Sequence, residues 1–191
     1  MNVLVVYAHP NPQSYNAALF RLACEQLALA GHNVHPLDLY EIDFEARMSC
    51  EERVNYMTRD NTKGVENQAA KLKWAQAVVF VYPTWWMGPP AILKGWLDRV
   101  WLPGVVATYG PNGLEPGLTQ IKKFLIITTQ GSSQWRMALV GNPPRKMFRL
   151  SLKAVSRCKD IKWLALYNID KTTEEDRKQF MEKVSKHLQS F

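Results

Sequence analysis

The residues best suited to chemistry begin directly after the first apolar run of the chain, 3-VLVVY-7. The next residues supply His9, the Ser14 hydroxyl and the Asn16 amide just ahead of a helical pattern. The first turn of a helix leaves backbone N–H groups unpaired at the positive end of its dipole, so a phosphate fits there. The glycine patterns of dinucleotide-binding and ATP-type loops are missing. A simple N-cap with turn prolines is the alternative interpretation.

A second segment, 82-YPTWWMGPPAILKGWLDRVW-101, places two adjacent tryptophans between an apolar strand and a helix. Trp85 and Trp86 must point in different directions, so we expect at least one of them to line a cleft or an interface. The Thr84 hydroxyl and the backbone amides of this segment could hydrogen-bond a flat polar heterocycle lying against an indole. Farther along, the four-residue spacing of aliphatic and aromatic side chains predicts an ordinary buried helix face.

A third segment, 128-TTQGSSQW-135, also follows an apolar strand and supplies two hydroxyls, the Gln130 amide and Gly131. Such residues are common after strands, so this segment alone is weak evidence for a binding site. Its position beside the other two segments strengthens that interpretation. We find no G-x-S-x-G elbow for hydrolysis and no histidine pair or acidic cluster at metal-ligand spacing, so we predict no metal site. If the protein is an enzyme, we expect a cofactor to carry the reaction.

The elements that must position these segments alternate between strand and helix. The predicted strands are residues 3–7, 33–39, 77–82, 123–129 and 161–169. The predicted helices are 14–31, 65–76, 89–101, 143–157 and 173–189, the last after a Thr172-x-x-Glu175 capping box. This order predicts an α/β fold, a doubly wound five-stranded parallel sheet in a single domain over residues 1–191. Ligands bind beyond the carboxyl ends of such strands, so the loops at 8–16, 83–88 and 129–142 should converge. The connections 40–64 and 102–121 are predicted to be rim insertions.

Composition excludes several other classes. With 47% hydrophobic residues, 10 Gly and 11 Pro, the chain is neither disordered nor collagen-like. Three widely spaced cysteines argue against a disulfide framework and favour reduced thiols. Apolar runs are strand-sized, and Met1-Asn2 enters the first one with no basic segment, so we expect a cytoplasmic location.

The net charge of +7 is concentrated at one end, because residues 142–191 hold 12 basic and 6 acidic side chains. Arg145, Arg149, Lys153 and Arg157 recur every four residues and predict a basic helix face. The simplest interpretation is a solvated face that aids solubility. The alternatives are attraction of an acidic subunit or, if the helix faces the cleft, of NADPH. We predict no nucleic-acid binding, because no recognition motif accompanies the charge.

Taken together, the three segments resemble the flavodoxin-like NAD(P)H:quinone oxidoreductases, a family that also includes flavin-binding ancillary subunits of potassium-efflux systems. The resemblance covers essentially the whole chain and is most specific over residues 82–101. It implies a bound flavin that takes hydride from NAD(P)H and passes it to a quinone or similar electrophile. The flavin-binding residues that it implies are His9, Ser14, Tyr15, Asn16, Pro83, Thr84, Trp85, Trp86, Met87, Thr128, Thr129, Gln130 and Gly131.

The resemblance also implies a homodimer, because Tyr109 matches a family tyrosine that reaches the dimer mate's active site. One departure is Gln130, which stands where the best-known quinone reductases have the first of two glycines. The chain also lacks the tyrosine and histidine that assist proton delivery in those enzymes, and it lacks their C-terminal extension. We therefore expect FMN, with FAD as the alternative. The competing function is a flavin-binding regulatory subunit, peripherally associated with a membrane transporter, with little turnover.

Overall fold

The computed structural model describes residues 1–111 and 113–191, and its strands form one large sheet and one small hairpin. Within those ranges the strands are β1 (Asn2–Tyr7), β2 (Asn33–Asp38), β3 (Ala77–Thr84), β4 (Ala107–Gly110), β5 (Gly113–Pro116), β6 (Lys123–Gln130) and β7 (Asp160–Leu166). Five of them pair in parallel in the order β2-β1-β3-β6-β7, while β4 and β5 pair with each other in antiparallel fashion. The predicted α/β fold with a doubly wound parallel sheet is confirmed.

Helices cover both faces of this sheet. In the described part of the chain they are α1 (Tyr15–Leu29), α2 (Cys50–Asn55), α3 (Glu66–Trp74), α4 (Ala91–Val100), α5 (Gln134–Leu139), α6 (Pro143–Val155) and α7 (Glu174–Gln189), with a 3-10 helix at Ile169–Lys171. Helices α1 and α7 bury one apolar face against the sheet, and α3, α4 and α6 bury theirs on the opposite side. No helix among the described residues is both long and apolar enough to span a membrane.

The central strands follow directly from the sequence. β1, β3 and β6 are almost entirely buried, because helices cover both of their faces. Strands in this position have continuous apolar sequences, and these three do. The chain runs from β1 outward to β2 and then crosses back to β3 on the other side of β1. The order of the strands therefore reverses between β1 and β3, and ligands in such sheets bind near this point, beyond the carboxyl ends of the strands.

Three predicted boundaries are wrong, each because of local backbone geometry. The last strand ends at Leu166 instead of residue 169, since Asn168 has a left-handed φ of 53° and starts the 3-10 turn. The final helix is capped by Thr173, whose hydroxyl accepts from the Asp176 N–H, and not by Thr172. The basic helix ends at Val155, so Arg157 lies outside it.

The two long connections contain structure that the sequence analysis did not predict. Residues 40–64 include α2, which Arg99 of α4 holds in place through a 2.6 Å ion pair with Glu52. Gly95 of α4 allows this connection to lie close, because a Cβ at that position would be 2.2 Å from the Ala46 carbonyl oxygen. Residues 102–121 include the β4–β5 hairpin. The short helix α5 was also not predicted.

Candidate functional site

Loop β1–α1 presents the start of a long helix at the sheet edge. Ser14 is the N-cap of α1, as predicted, and its Oγ accepts a hydrogen bond from the Ala17 N–H at 3.1 Å. The same hydroxyl lies 3.4 Å from the Tyr7 hydroxyl at the end of β1. The first helical N–H groups, those of Tyr15 and Asn16, have no acceptor within α1. This loop therefore offers backbone donors and a helix dipole to an anion.

Side-chain hydrogen bonds join the three predicted loops. Asn16 is 5% exposed, and its Nδ2 donates to Thr129 Oγ1 at 2.9 Å. The hydroxyl groups of Thr84 and Thr128 lie 2.9 Å apart, which links β3 to β6. The predicted convergence of the loops at 8–16, 83–88 and 129–142 is thus seen in direct contacts. These four polar groups use hydrogen bonds to hold the loops together.

The side chains of His9 and Tyr15 occupy opposite sides of the first loop. His9 Nδ1 accepts from the Asn11 N–H at 3.0 Å, so Nε2 carries the proton of the neutral ring. Burial lowers the pKa of His9, and its ring centroid lies 5.9 Å from that of Trp85. The Tyr15 hydroxyl instead donates to the Arg177 carbonyl at 2.7 Å, and burial raises its pKa to about 12. The tyrosine ring therefore binds α7 rather than the cleft.

Loop β3–α4 forms a tight turn that projects an indole into solvent. Trp85 and Gly88 exchange backbone hydrogen bonds of 2.9 and 3.0 Å, and the two residues between them are left-handed, with φ of 46° at Trp86 and 60° at Met87. Non-glycine residues rarely adopt that geometry, which costs about 1–3 kcal/mol each where it is held. Trp86 is fully exposed, whereas Trp85 is 42% exposed. At least one tryptophan lines a cleft, as expected.

Loop β6–α5 contributes a buried amide with no partner. Gln130 is 2% exposed, and neither Nε2 nor Oε1 has a hydrogen-bond partner among the described residues. A buried polar group without a partner costs about 1–3 kcal/mol, so such groups are normally satisfied by protein, water or ligand. Gly131 follows immediately, and a Cβ there would lie 3.3 Å from Asp170 Oδ2. The loop thus offers one donor and one acceptor beside a closely packed backbone.

These loops enclose a cavity of about 680 Å³ at the carboxyl edge of the sheet. Eight predicted site residues line it, namely Pro83, Thr84, Trp85, Trp86, Met87, Thr129, Gln130 and Gly131. Ser14, Tyr15, Asn16 and Thr128 do not line it, and His9 approaches it only through the Trp85 ring. The aromatic loop and the amide loop therefore build the cavity, and the first loop stands beside it.

Four residues that the sequence analysis missed complete the cavity wall. They are Ser132, Met137, Ile169 and Asp170. Ile169 and Asp170 follow β7, the fifth strand of the sheet. Because ligands bind beyond the carboxyl ends of such strands, a strand predicted to end at Leu166 would have placed both residues at the site. Met137 belongs to the unpredicted helix α5, and its apolar side chain carried no functional signal.

Tyr109 lies away from this cavity, on the β4–β5 hairpin. It is 70% exposed and pairs across the hairpin with Leu114, which is 66% exposed. It does not line the cavity described above. Within one chain, therefore, the predicted catalytic tyrosine is separate from the other predicted site residues.

The fold and this cavity define a flavodoxin-like α/β protein with its site at the carboxyl edge of the sheet, next to the topological switch point. The family described as having a flavodoxin-like fold, Flavodoxin_2, matches residues 1–190, so the chain belongs to that family. The resemblance to flavodoxin-like NAD(P)H:quinone oxidoreductases, expected from the three loops, is confirmed.

The chain is similar to several characterised or solved proteins. It is 40% identical over 155 residues to the ribosyldihydronicotinamide dehydrogenase-like protein traD of Penicillium crustosum, covering 69% of this chain and 58% of the relative. It is 32% identical over 148 residues to the human ribosyldihydronicotinamide dehydrogenase [quinone], covering 69% and 64%. The alignments thus span less than two thirds of either relative. The crystal structure of Smu.1420 from Streptococcus mutans is 31% identical, with a TM-score of 0.85 over 100% of both chains.

Proposed function

We propose that this protein is a flavin-dependent oxidoreductase that passes hydride from NAD(P)H through a bound flavin to a quinone or a similar electrophile. The observation that carries the proposal is the buried Gln130 amide, without a partner, in the wall of a cavity flanked by two indoles. A flavin has a flat aromatic ring system with an imide edge, and one carboxamide can pair with the N–H of that edge and with one of its two carbonyl oxygens. The names of the relatives support the same chemistry.

The residues present fit such a cofactor at both of its ends. The first turn of α1, capped by Ser14, offers backbone N–H groups to a phosphate. Pro83 to Met87 would flank the ring system, and Thr129 to Gly131 would close over its opposite edge. Asn16 and Thr128 would act indirectly, because their side chains join the loops.

When bound, the flavin would supply the two-electron chemistry, accepting hydride from the nicotinamide and releasing it to the acceptor. The protein would contribute binding and orientation. The exposed Trp86 indole offers a flat apolar surface for a planar donor or acceptor. The lowered pKa of His9 favours the neutral form of its ring. Because the flavin would carry the redox chemistry, the reaction would not need a catalytic triad of side chains.

We propose FMN as the cofactor, with FAD as the alternative, because a solved structure of similar fold, an FMN-dependent NADH-azoreductase of Bacillus anthracis, is described in complex with FMN. Acid release of the bound cofactor followed by chromatography against both standards distinguishes the two. NADH, NADPH and dihydronicotinamide riboside should be compared as donors, since two relatives are named for the ribosyldihydronicotinamide reaction.

We also propose that the protein works as a homodimer in which Tyr109 enters the site of the partner subunit. Tyr109 and Leu114 expose two large side chains on a hairpin, and neither of them lines the cavity of their own chain. Light scattering should give twice the mass of one chain. Tyr109→Ala should raise KM for the quinone while the flavin content stays unchanged; an unchanged KM would remove Tyr109 from the site.

The proposed function is tested by reconstitution. The purified protein is mixed with excess FMN or FAD, desalted, and examined by visible absorbance before and after anaerobic NADPH. We expect retained flavin bands that bleach with NADPH and return when a quinone is added, with many turnovers per flavin. A single reduction without turnover would instead favour the regulatory-subunit alternative. Absence of retained flavin would refute the proposal.

A further inference from the structure

A second cavity, of about 260 Å³, lies between α6 and the edge strand β7, and its wall is strongly basic. Arg145, Arg149 and Lys153 of α6 line it together with Lys159, which precedes β7. Its apolar floor includes Phe148 and Trp163, whose ring centroids are 6.3 Å apart. Three of the four basic residues that were predicted to share a helix face thus border one cavity that is open to solvent.

The polar side chains in this wall are all hydrogen-bond donors. Arginine, lysine and the tryptophan indole can donate but cannot accept. In residues 1–111 and 113–191, none of the four cations forms a salt bridge or a side-chain hydrogen bond. The Trp163 Nε1 group is buried and also has no partner. A ligand that fits this wall must therefore be an acceptor, and a negative charge would relieve the repulsion among the cations.

The nearest acidic residue along β7 faces away from the cavity. Asp160 lies on the face of β7 opposite to Ile161 and Trp163, because side chains alternate along a strand. Its carboxylate is 4.0 Å from the Lys162 ammonium, on that same opposite face. The cavity wall itself contains no carboxylate. The positive charge of the wall is therefore not neutralised locally.

We propose that this cavity binds a small anion bearing phosphate groups. Arginine binds phosphate through two parallel N–H donors, and two arginines with two lysines suit a di- or triphosphorylated group. The volume fits a compact group rather than a protein segment or a nucleic acid. A second copy of the chain is disfavoured as the occupant, because its corresponding surface carries the same positive charge.

The cavity shares no lining residue with the candidate active site, so it is a separate site. Its phosphate groups could come from a free phosphorylated compound or from NADPH. Binding of inorganic pyrophosphate can be measured without flavin or turnover, so this proposal stands or falls independently of the reductase function.

The test uses two double variants with equal loss of charge. Arg149→Gln with Lys153→Gln removes two cations from the cavity, while Lys178→Gln with Lys183→Gln removes two exposed cations from α7. Calorimetric titration with pyrophosphate should give saturable binding to the wild type and to the α7 variant. The cavity variant should bind at least tenfold more weakly. No saturable binding, or equal weakening in both variants, would overturn the proposal.

Steady-state kinetics then identify the source of the phosphate. If the cavity holds a phosphate of NADPH, the cavity variant should raise KM for NADPH, leave KM for NADH unchanged, and abolish competition by pyrophosphate. If a free phosphorylated compound is the ligand, both KM values should stay unchanged while pyrophosphate binding is lost. Either pattern supports an anion site. Equal increases in both KM values, with pyrophosphate binding intact, would contradict it.

Discussion

The buried Gln130 amide makes a prediction with opposite signs for the free and the flavin-bound protein. Gln130→Met preserves the length of the side chain but removes the unpaired donor and acceptor. In the free protein, loss of an unsatisfied buried amide should raise the free energy of unfolding by about 1–3 kcal/mol. For a chain of this size each kcal/mol shifts Tm by roughly 2–4 °C, so an increase of about 2–12 °C is expected.

In the flavin-bound protein the same substitution should weaken binding. Two hydrogen bonds to the imide edge contribute about 0.5–1.5 kcal/mol each, which corresponds to a roughly 5- to 150-fold higher Kd for FMN. Thermal unfolding of the flavin-free protein and fluorescence titration with FMN measure the two effects. Gln179→Met, on the exposed surface of α7, serves as the control and should change neither.

Two results would refute this reasoning. A lower Tm for flavin-free Gln130→Met would show that the amide makes favourable contacts in the free protein. An unchanged Kd for FMN would show that the amide does not bind the cofactor, even if the protein is a flavoprotein. The two measurements are independent, so the stability prediction and the flavin-binding prediction can each be refuted separately.

Three further outcomes are expected. Trp86→Ala should increase the Kd for flavin more than Trp101→Ala, because the first indole lines the cavity and the second packs against the core; equal losses would contradict the assignment. Gly95→Ala should destabilise the protein by about 1–3 kcal/mol in urea unfolding, because its Cβ would clash with the Ala46 backbone; an unchanged midpoint would show that this connection moves freely. Burial lowers the pKa of His9, so the unfolded chain binds its proton more readily, and the unfolding free energy should fall as pH drops below about 6.5; a His9→Gln variant should show a shallower pH dependence, and an identical one would exclude the histidine.

Apolar runs made the sheet predictable, whereas the short elements at its rim were not. The central strands are continuous apolar segments, and their alternation with helices implies parallel pairing. Helix α2 buries no residue, and the β4–β5 hairpin is largely exposed, so neither has a hydrophobic period to detect. The N-cap of α7 was predicted one residue too early, because Thr172 and Thr173 both begin a capping pattern. Thr172 instead donates its hydroxyl to the Ile169 carbonyl.

The loops of the candidate site could be predicted from the sequence, but the hydrogen-bond partners of their side chains could not. The carboxyl-edge rule located the aromatic and amide loops, and eight of the predicted residues line one cavity. Sequence alone could not show that Tyr15 binds α7 or that Asn16 bonds to Thr129. Those contacts join residues more than 100 positions apart, so only the folded chain reveals them. The left-handed turn at Trp86 was likewise hidden, since its sequence has no glycine at the turn centre.

The hydrogen bonds that join the three loops have a consequence for the kinetics of ligand exchange. Because hydrogen bonds of Asn16 with Thr129, and of Thr84 with Thr128, already join the loops at and beside the cavity, a ligand meets a site that needs little rearrangement. Association should then be rapid and nearly the same among variants of the projecting turn at Trp86. Residence time would be governed by that turn, so substitutions there should change how long a bound molecule stays.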